Sequence, residues 1–274
     1  MTGAALWMLL LAAVALLAVT AFLAQPWWIE QRRARLRARP FPEAWRRILR
    51  RRVPVAARLP PELQLRLKGH IQAFVAEKPF IGCGGQVITD EVRVTIAAHA
   101  CLLLLGHPRP DYYPRLRQIL VYPDAFIVNR ERPLGAGLVQ EQRHTLSGES
   151  WTEGQVIVSW ADVVAGAADP ADGRNVALHE FAHQIDQDTG LADGRPWRPT
   201  PRMRRRWAAV MGEAFERLRD QPSTLIDVYG ATDPAEFFAV VSEVFFERPR
   251  DLQAEAPAVY EELARLYGVN PVQW

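Results

Sequence analysis

The N-terminal run from Ala4 to Ala24 limits the possible structures most, because it is apolar except for Thr20. A backbone in hydrocarbon must satisfy its own hydrogen bonds, and about twenty helical residues at ~1.5 Å each cross roughly 30 Å. Trp7 lies near one end of the run and Trp27 just beyond the other, where tryptophan favours the membrane interface. We therefore predict a transmembrane α-helix within residues 1–25.

A cleaved signal peptide is the alternative for this run. Signal peptides begin with positive charge, have a shorter apolar core and carry small residues before the cleavage point. Here no Lys or Arg precedes the run, and cleavage before Gln25 would put Phe22 three residues upstream of the cut. The sequence therefore favours a helix that stays attached to the chain.

A basic segment follows, with ten arginines and a single acid, Glu43, between Arg32 and Arg52. Positive charge beside a membrane-spanning helix is retained in the cytoplasm, so we expect a single-pass protein of the inner (cytoplasmic) membrane with its folded part in the cytoplasm. We expect membrane lipid to contact residues 4–24 and the Arg32–Arg52 block. Nucleic acid is less favoured, since no DNA-binding motif accompanies the arginines. We assign residues 26–56 to a basic juxtamembrane segment.

The remaining chain, residues 57–274, changes from helical periodicity to strand periodicity and back. This order indicates one α+β domain that is mostly helical and has a small mixed sheet. Strands are predicted at Gln118–Tyr122, Ala125–Val128, Leu138–His144 and Gln155–Trp160. Helices are predicted at Pro60–Ala76, Asp90–Leu105 with Thr89 as its cap, 176–187, Met203–Leu218, Pro234–Phe246 and Pro257–Tyr267.

The third predicted helix contains the motif His179-Glu180-Phe181-Ala182-His183. Residues four apart share one face of a helix, so both imidazoles can point at one metal ion while Glu180 reaches a water beside it. Zinc lowers the pKa of such a water, and a carboxylate can take its proton during attack on a peptide carbonyl. The alternative is two ordinary helical histidines that only form hydrogen bonds.

A catalytic zinc needs a third protein ligand. Asp186 and Thr189 stand where one large metallopeptidase class has glycine and histidine, and residues 197–207 contain no acid. Glu213 and Glu216 occupy a charged helix typical of a solvated face. Two other acids, seven residues apart, share one face of the phenylalanine-rich helix Pro234–Phe246, where burial is costly without a partner or metal. The residues alone do not choose between these two, which are Glu236 and Glu243.

Three stretches resemble the Mlc titration factor A family of zinc-dependent peptidases. They are the motif helix His179–Asp186, the segment Tyr229–Glu243, and Ser147–Trp151 together with Val156–Trp160. The resemblance runs through roughly residues 60–270. It implies a zincin-like, gluzincin-type metallopeptidase domain with Zn²⁺ as its cofactor.

The resemblance also implies roles for individual residues. It makes Glu236 the third metal ligand beside His179 and His183, with Glu180 as general base. It implies that the phenol of Tyr229 stabilises the oxyanion of the reaction.

Further roles follow for the surroundings of the ligands. Glu243 and Asp186 would orient the ligand histidines. The strand Gln155–Trp160, with Val156 and Val158, would lie beside the cleft and pair as an edge strand with an extended peptide.

Two functions are compatible with this pattern. The first is a zinc peptidase that acts on a peptide or protein substrate at the inner face of the membrane, as an aminopeptidase or an endopeptidase. The second is a regulator that binds and titrates a transcriptional repressor, with hydrolysis secondary.

Overall fold

The computed structural model describes residues 3–135, 138–146, 148–151, 154–190 and 192–274. The chain divides into two compact units, residues 1–40 and residues 41–274.

The first unit contains one helix, α1, which spans Gly3–Arg37. The helix is longer than the predicted residues 1–25, because the arginine-rich and alanine-rich residues that follow are good helix formers and carry it past Pro26. The hydroxyl of Thr20 donates a hydrogen bond to the Leu17 carbonyl, so the polar side chain of the run is satisfied. An 18-residue window within Leu10–Arg37 has a mean hydropathy of 1.9, and by length and composition this helix could cross a membrane.

The second unit begins with three helices: α2 (Glu43–Arg52), α3 (Val55–Arg58) and α4 (Pro61–Glu77). The basic residues that the sequence analysis placed in a juxtamembrane segment thus include a helix of the folded unit. Leu49 on α2 is buried, and Trp45 Nε1 donates a hydrogen bond to Asp90 at 2.9 Å. The sequence did not predict these contacts, because the apolar residues of α2 are interspersed with arginines.

In the described part of the chain, six strands form two sheets: β1 (Phe80–Gly82), β2 (Gln118–Tyr122), β3 (Phe126–Gly135), β4 (Leu138–Leu146), β5 (Gly148–Trp151) and β6 (Gln155–Ser159). The larger sheet has the order β1-β2-β6-β5, in which β1, β2 and β6 are parallel and β5 is antiparallel to β6. Strands β3 and β4 form a separate antiparallel hairpin. The predicted mixed sheet is therefore present.

The expectation that Gln155–Trp160 is an edge strand is wrong. Strand β6 pairs with β2 on one side and with β5 on the other, so its backbone groups are already used. The four-residue strand β5 was not predicted because glycine and acidic residues are rare in strands.

The α-helices that follow α4 are α5 (Asp90–Leu102), α6 (Trp160–Ala168), α7 (Val176–Asp186), α8 (Pro201–Asp220), α9 (Pro234–Glu247), α10 (Pro249–Glu255) and α11 (Pro257–Tyr267). Helices α6 and α7 contact strands of the larger sheet. Helix α5 begins at the predicted cap, where the Thr89 side chain accepts a hydrogen bond from Val92 N. Predicted and observed boundaries agree closely for α4, α5, α7, α8, α9 and α11, whereas α2, α3, α6 and α10 were missed.

Two helices of the core position the candidate site. Helix α7 contacts α9, α5, β5 and β6. The phenylalanines of α9 are buried, as is Phe181 of α7. The position of α7 is thus determined by apolar packing, and the polar residues discussed below project from two helices that the core holds in place.

Two glycines allow a test of the packing between α5 and the chain end. A methyl group on Gly106 would lie 2.0 Å from the Tyr267 carbonyl oxygen, whereas nothing lies within 4 Å of the same position on Gly212, inside α8. We expect Gly106→Ala to lower the free energy of unfolding by about 2 kcal/mol or more through this clash. Gly212→Ala should raise it by about 0.5–1 kcal/mol, because alanine favours helix. Urea denaturation followed by tryptophan fluorescence measures both; equal effects of the two variants would contradict this packing.

Candidate metal centre

Helix α7 presents the two histidines of the motif on one face. The Asn175 side chain accepts a hydrogen bond from Leu178 N at 3.1 Å and so caps the start of the helix. The rings of His179 and His183, one turn apart, have centroids 4.8 Å from each other. The local sequence therefore forms a short capped helix whose polar residues converge.

The first turn of α9 supplies a carboxylate. Pro234 occupies the start of the helix, and the Asp233 side chain accepts hydrogen bonds from the backbone N–H groups of Ala235 and Glu236. A proline followed by a well-capped turn fixes the backbone at this point. Glu236 is thereby held in a defined position at the end of a buried helix.

The side chains of His179, His183 and Glu236 meet at one point. His179 Nε2 lies 3.1 Å from His183 Nε2 and 2.9 Å from Glu236 Oε2, and His183 Nε2 lies 3.4 Å from the same oxygen. Ligands bound tetrahedrally to zinc at about 2.0–2.1 Å would be about 3.3 Å apart. The three side chains therefore have a spacing and a set of nitrogen and oxygen donors that could hold a metal ion.

The charges of the cluster support the same interpretation. Burial would raise the pKa of Glu236, but hydrogen bonds to His179 and His183 outweigh it and hold that pKa far below its usual range. Burial likewise opposes charge on His179, yet hydrogen bonds to Glu236 and Glu243 raise its pKa well above the ordinary value. The carboxylates thus make this a site that favours a cation.

Glu243 contacts the opposite side of the His179 ring. Its Oε1 lies 2.8 Å from His179 Nδ1, and its Oε2 accepts a hydrogen bond from the backbone N–H of Asn175 at 2.5 Å. In the neutral ring, an acceptor at Nδ1 places the proton there and leaves the Nε2 lone pair facing Glu236 and His183. Glu236 and Glu243, between which the sequence alone did not choose, therefore occupy different positions. Glu236 lies beside Nε2 of His179 and Glu243 lies beside Nδ1.

Behind Glu243 lies a further acid, Glu247, that the sequence analysis missed. The Asn175 amide donates a hydrogen bond to Glu247 Oε1 at 2.9 Å. Burial, together with the neighbouring acids Asp172 and Glu243, raises the pKa of Glu247 to about 8, although the hydrogen bond from Asn175 opposes the shift. The sequence could have identified Glu247 by its spacing, because it follows Glu243 by one turn on the same apolar helix.

The expected catalytic residues also lie near the cluster. Glu180 follows His179 on α7, is only 4% exposed, and contributes to the raised pKa of His179. Tyr229 lies in a short 3₁₀-helix, Val228–Ala231, with its ring centroid 6.0 Å from that of His179. Its side chain is about half exposed, which leaves the phenol accessible to a substrate.

Asp186 forms a hydrogen bond to a loop. Its Oδ2 accepts from the Gly194 backbone N–H at 2.7 Å, and burial raises its pKa to about 6, while the charge of His183 lowers it. Gly194 has a positive φ, and a Cβ there would lie 2.3 Å from the Pro234 carbonyl oxygen. Asp186 therefore holds the loop that packs against the start of α9; its expected orientation of His183 stays a prediction.

The two valines expected to bind substrate do not line a cleft. The side chains of Val156 and Val158 are fully buried, and both residues belong to β6, which is paired on both sides. They pack the core, and this expectation was wrong. The expectation came from the resemblance alone, because the continuous apolar run from Val156 to Val158 is itself typical of a strand buried on both faces.

Two other histidines, His70 and His99, form contacts within the core. His70 Nδ1 lies 2.9 Å from the Tyr112 hydroxyl, and His99 Nδ1 lies 2.9 Å from the Thr95 carbonyl oxygen. Both are buried. Cys101 is also buried, and burial raises the pKa of its thiol, as expected for a core cysteine.

Comparison with known proteins adds a family match. The family model described as glucose-regulated metallo-peptidase M90 matches residues 27–268. The uncharacterized protein slr2042 of Synechocystis sp. is 40% identical over 252 residues, which cover 90% of this chain and 91% of the relative. Proteins named Mlc titration factor A are 33% identical in Klebsiella pneumoniae and 31% identical in Salmonella agona; each match covers 81% of this chain and 84% of the relative.

The raised pKa of Glu247 predicts a pH-dependent stability. The folded state binds a proton that the unfolded state releases above its ordinary pKa, so this group's contribution is complete at acidic pH and is lost as pH rises towards 8. We expect wild-type unfolding free energy to fall between about pH 5 and 8, by up to ~1.4 kcal/mol per unit from this group. Glu247→Gln, which stays neutral and still accepts from Asn175, should flatten that slope.

Denaturation midpoints across this pH range measure the effect. Some slope should remain below pH 6 because burial also raises the pKa values of Asp186 and Asp188 to about 6. Glu213→Gln, at an exposed position of α8, serves as the control and should keep the wild-type slope. An unchanged slope in Glu247→Gln would refute the assignment of a buried neutral acid.

Proposed function

The chain belongs to the glucose-regulated metallo-peptidase M90 family, and from this membership we propose that it is a zinc peptidase attached to the inner face of the cytoplasmic membrane. The observation that carries the proposal is the near-tetrahedral spacing of His179, His183 and Glu236. The Glu243 carboxylate at His179 Nδ1 supports it, because ligand histidines commonly donate their second ring N–H to a carboxylate.

The proposed chemistry divides among residues of two helices and a 3₁₀ turn. Bound zinc would lower the pKa of a coordinated water and polarise the peptide carbonyl. Glu180 accepts the proton of the attacking water at its carboxylate and delivers it to the leaving amine. The Tyr229 hydroxyl donates a hydrogen bond to the developing oxyanion, as its accessible position beside His179 allows.

The substrate in this proposal is an extended peptide that pairs with β5. Strand β5 contacts α7, and within the described residues only β6 pairs with it. A peptide that pairs with the other side of β5 would form backbone hydrogen bonds with it. These bonds do not depend on which side chain the peptide carries at each position. This strand takes the place of β6 in the original expectation.

Membrane attachment through α1 is part of the proposal. It is supported by the hydropathy of α1 and by the arginines that follow the apolar run. The excess of positive charge after the run favours a cytoplasmic position for the folded unit.

A regulatory function is the second candidate. Relatives at 31–33% identity carry the name Mlc titration factor A, which favours binding to a transcriptional repressor. In this alternative the chain titrates a repressor and hydrolysis is secondary.

We expect metal affinity to depend on α9. Glu236→Ala removes a ligand and should lower zinc affinity more than about 100-fold, whereas Glu243→Ala should lower it about 10–100-fold by releasing the His179 ring. Glu213→Ala, an exposed glutamate of α8, should leave it unchanged. Zinc content and competition with a chromophoric chelator measure these values, and zinc affinity indifferent to Glu236 would overturn the ligand assignment.

Catalysis should depend on Glu180 separately from metal binding. Glu180→Gln should keep zinc and lose peptide hydrolysis by at least about 10²-fold, and Tyr229→Phe should lower kcat by about 10²–10³-fold. Chelation should abolish wild-type hydrolysis and added zinc restore it. The measurement is cleavage of a mixed peptide library by the purified full chain.

The same Glu180→Gln variant separates the two candidate functions. If hydrolysis is the function, the zinc-loaded variant should lose its effect in cells. A variant that retains the full cellular effect, or a zinc-loaded wild type that cleaves no peptide, would favour the regulator.

A further inference from the structure

Helices α2, α3 and α4 enclose a groove with a volume of about 360 Å³. Its apolar floor includes Leu49, Val53 and Leu67, all of which are buried. Three cationic side chains, Arg46, Arg50 and Lys68, also line it. The groove therefore combines a hydrocarbon surface with a concentration of positive charge.

The positive charge of the groove is weakly compensated. Within the part of the chain that the structure describes, no acid lines the groove. Arg46 Nε donates a hydrogen bond to the uncharged Phe41 carbonyl oxygen at 3.3 Å. The Glu43 carboxylate lies 3.8 Å from Arg46 Nε and 3.7 Å from Arg50 Nη2, and exposed pairs at such distances contribute little. Among the described residues none forms a hydrogen bond or ion pair with Lys68. The groove thus attracts an anion that can replace Glu43 between the two arginines.

The arrangement follows from the sequence of α2. Positions 46, 49, 50 and 53 recur at the spacing of one helical face, so two arginines alternate with two apolar residues along the groove.

We propose that this groove binds one anionic phospholipid, with its phosphate between Arg46, Arg50 and Lys68 and the start of an acyl chain on the apolar floor. This inference rests on the proposed membrane attachment and extends it, because it gives the folded unit its own lipid site. Charge complementarity selects an anionic headgroup over a neutral one. The apolar lining, which includes half-buried Ala56 and exposed Ala57 besides the three buried residues of the floor, favours a lipid over free phosphate or nucleic acid, neither of which has an acyl chain to bury.

Chain connectivity favours the same occupant. Only residues 38–42 separate the end of α1 from the start of α2, and a segment of that length extends at most about 20 Å. If α1 is anchored in a bilayer, α2 cannot leave the vicinity of its surface. A lipid in the groove would then fix the folded unit at the membrane through a second point of attachment.

Binding of a fluorescent short-chain phosphatidylglycerol to the full chain in neutral detergent micelles tests the proposal. We expect saturable binding of one lipid per chain. The triple variant Arg46→Gln, Arg50→Gln, Lys68→Gln should bind about a hundredfold more weakly. The matched control Arg47→Gln, Arg202→Gln, Arg205→Gln removes the same charge from positions that do not line the groove and should bind within about twofold of wild type. Zinc content and circular dichroism show that each variant is folded.

Several outcomes would overturn the proposal. They are equal losses in the two triple variants, equal affinity for phosphatidylcholine, and competition by inorganic phosphate or a single-stranded oligonucleotide as strong as that by unlabelled phosphatidylglycerol. Flotation of the full chain with vesicles tests α1 separately. A chain that floats but shows no saturable site overturns the groove alone, whereas one that binds lipid but does not float overturns the proposed tether.

Discussion

The contact on which the candidate site depends is that of His179 with two carboxylates from a single helix. Glu236 faces Nε2 and Glu243 faces Nδ1, and the two acids are two turns apart on α9, whose other face is packed with phenylalanine. Both nitrogens of the His179 ring are therefore held by a single helix, α9. Any shift of α9 relative to α7 would break both contacts together, so core packing and site geometry are the same constraint.

Asn175 extends this constraint outward. Its side-chain oxygen caps α7, its amide donates to Glu247, and its backbone N–H donates to Glu243. One residue thus sets where the motif helix begins and how the carboxylates behind it are arranged. The neutral acid Glu247 suits this position, because a second charged carboxylate beside Glu243 would repel it in a poorly solvated interior.

The sequence predicted the parts of this arrangement that depend on local spacing. Helical periodicity placed His179 and His183 on one face and two acids on a later helix, and turn residues such as Thr89 and Asn175 marked helix starts that the structure confirms. The sequence did not predict which strands pair with one another. The position of β6 between β2 and β5 depends on the antiparallel return of the short strand β5. Likewise, nothing local showed that the arginines of α2 conceal a buried face.

The clustering of acids around two histidines also implies that folding and cation binding are coupled. Glu236, Glu243 and Glu180 all lower the free energy of a positive charge on His179, which is why its pKa is raised despite burial. A proton can supply this positive charge to the His179 ring, but it occupies Nε2, the nitrogen that would bind metal. Metal binding must then release the proton, so its affinity should weaken towards acid pH, and the bound ion should stabilise the packing of α7 against α9. Without a cation, the carboxylates of Glu180, Glu236 and Glu243 would repel one another inside the core. A cation bound between α7 and α9 offsets this repulsion.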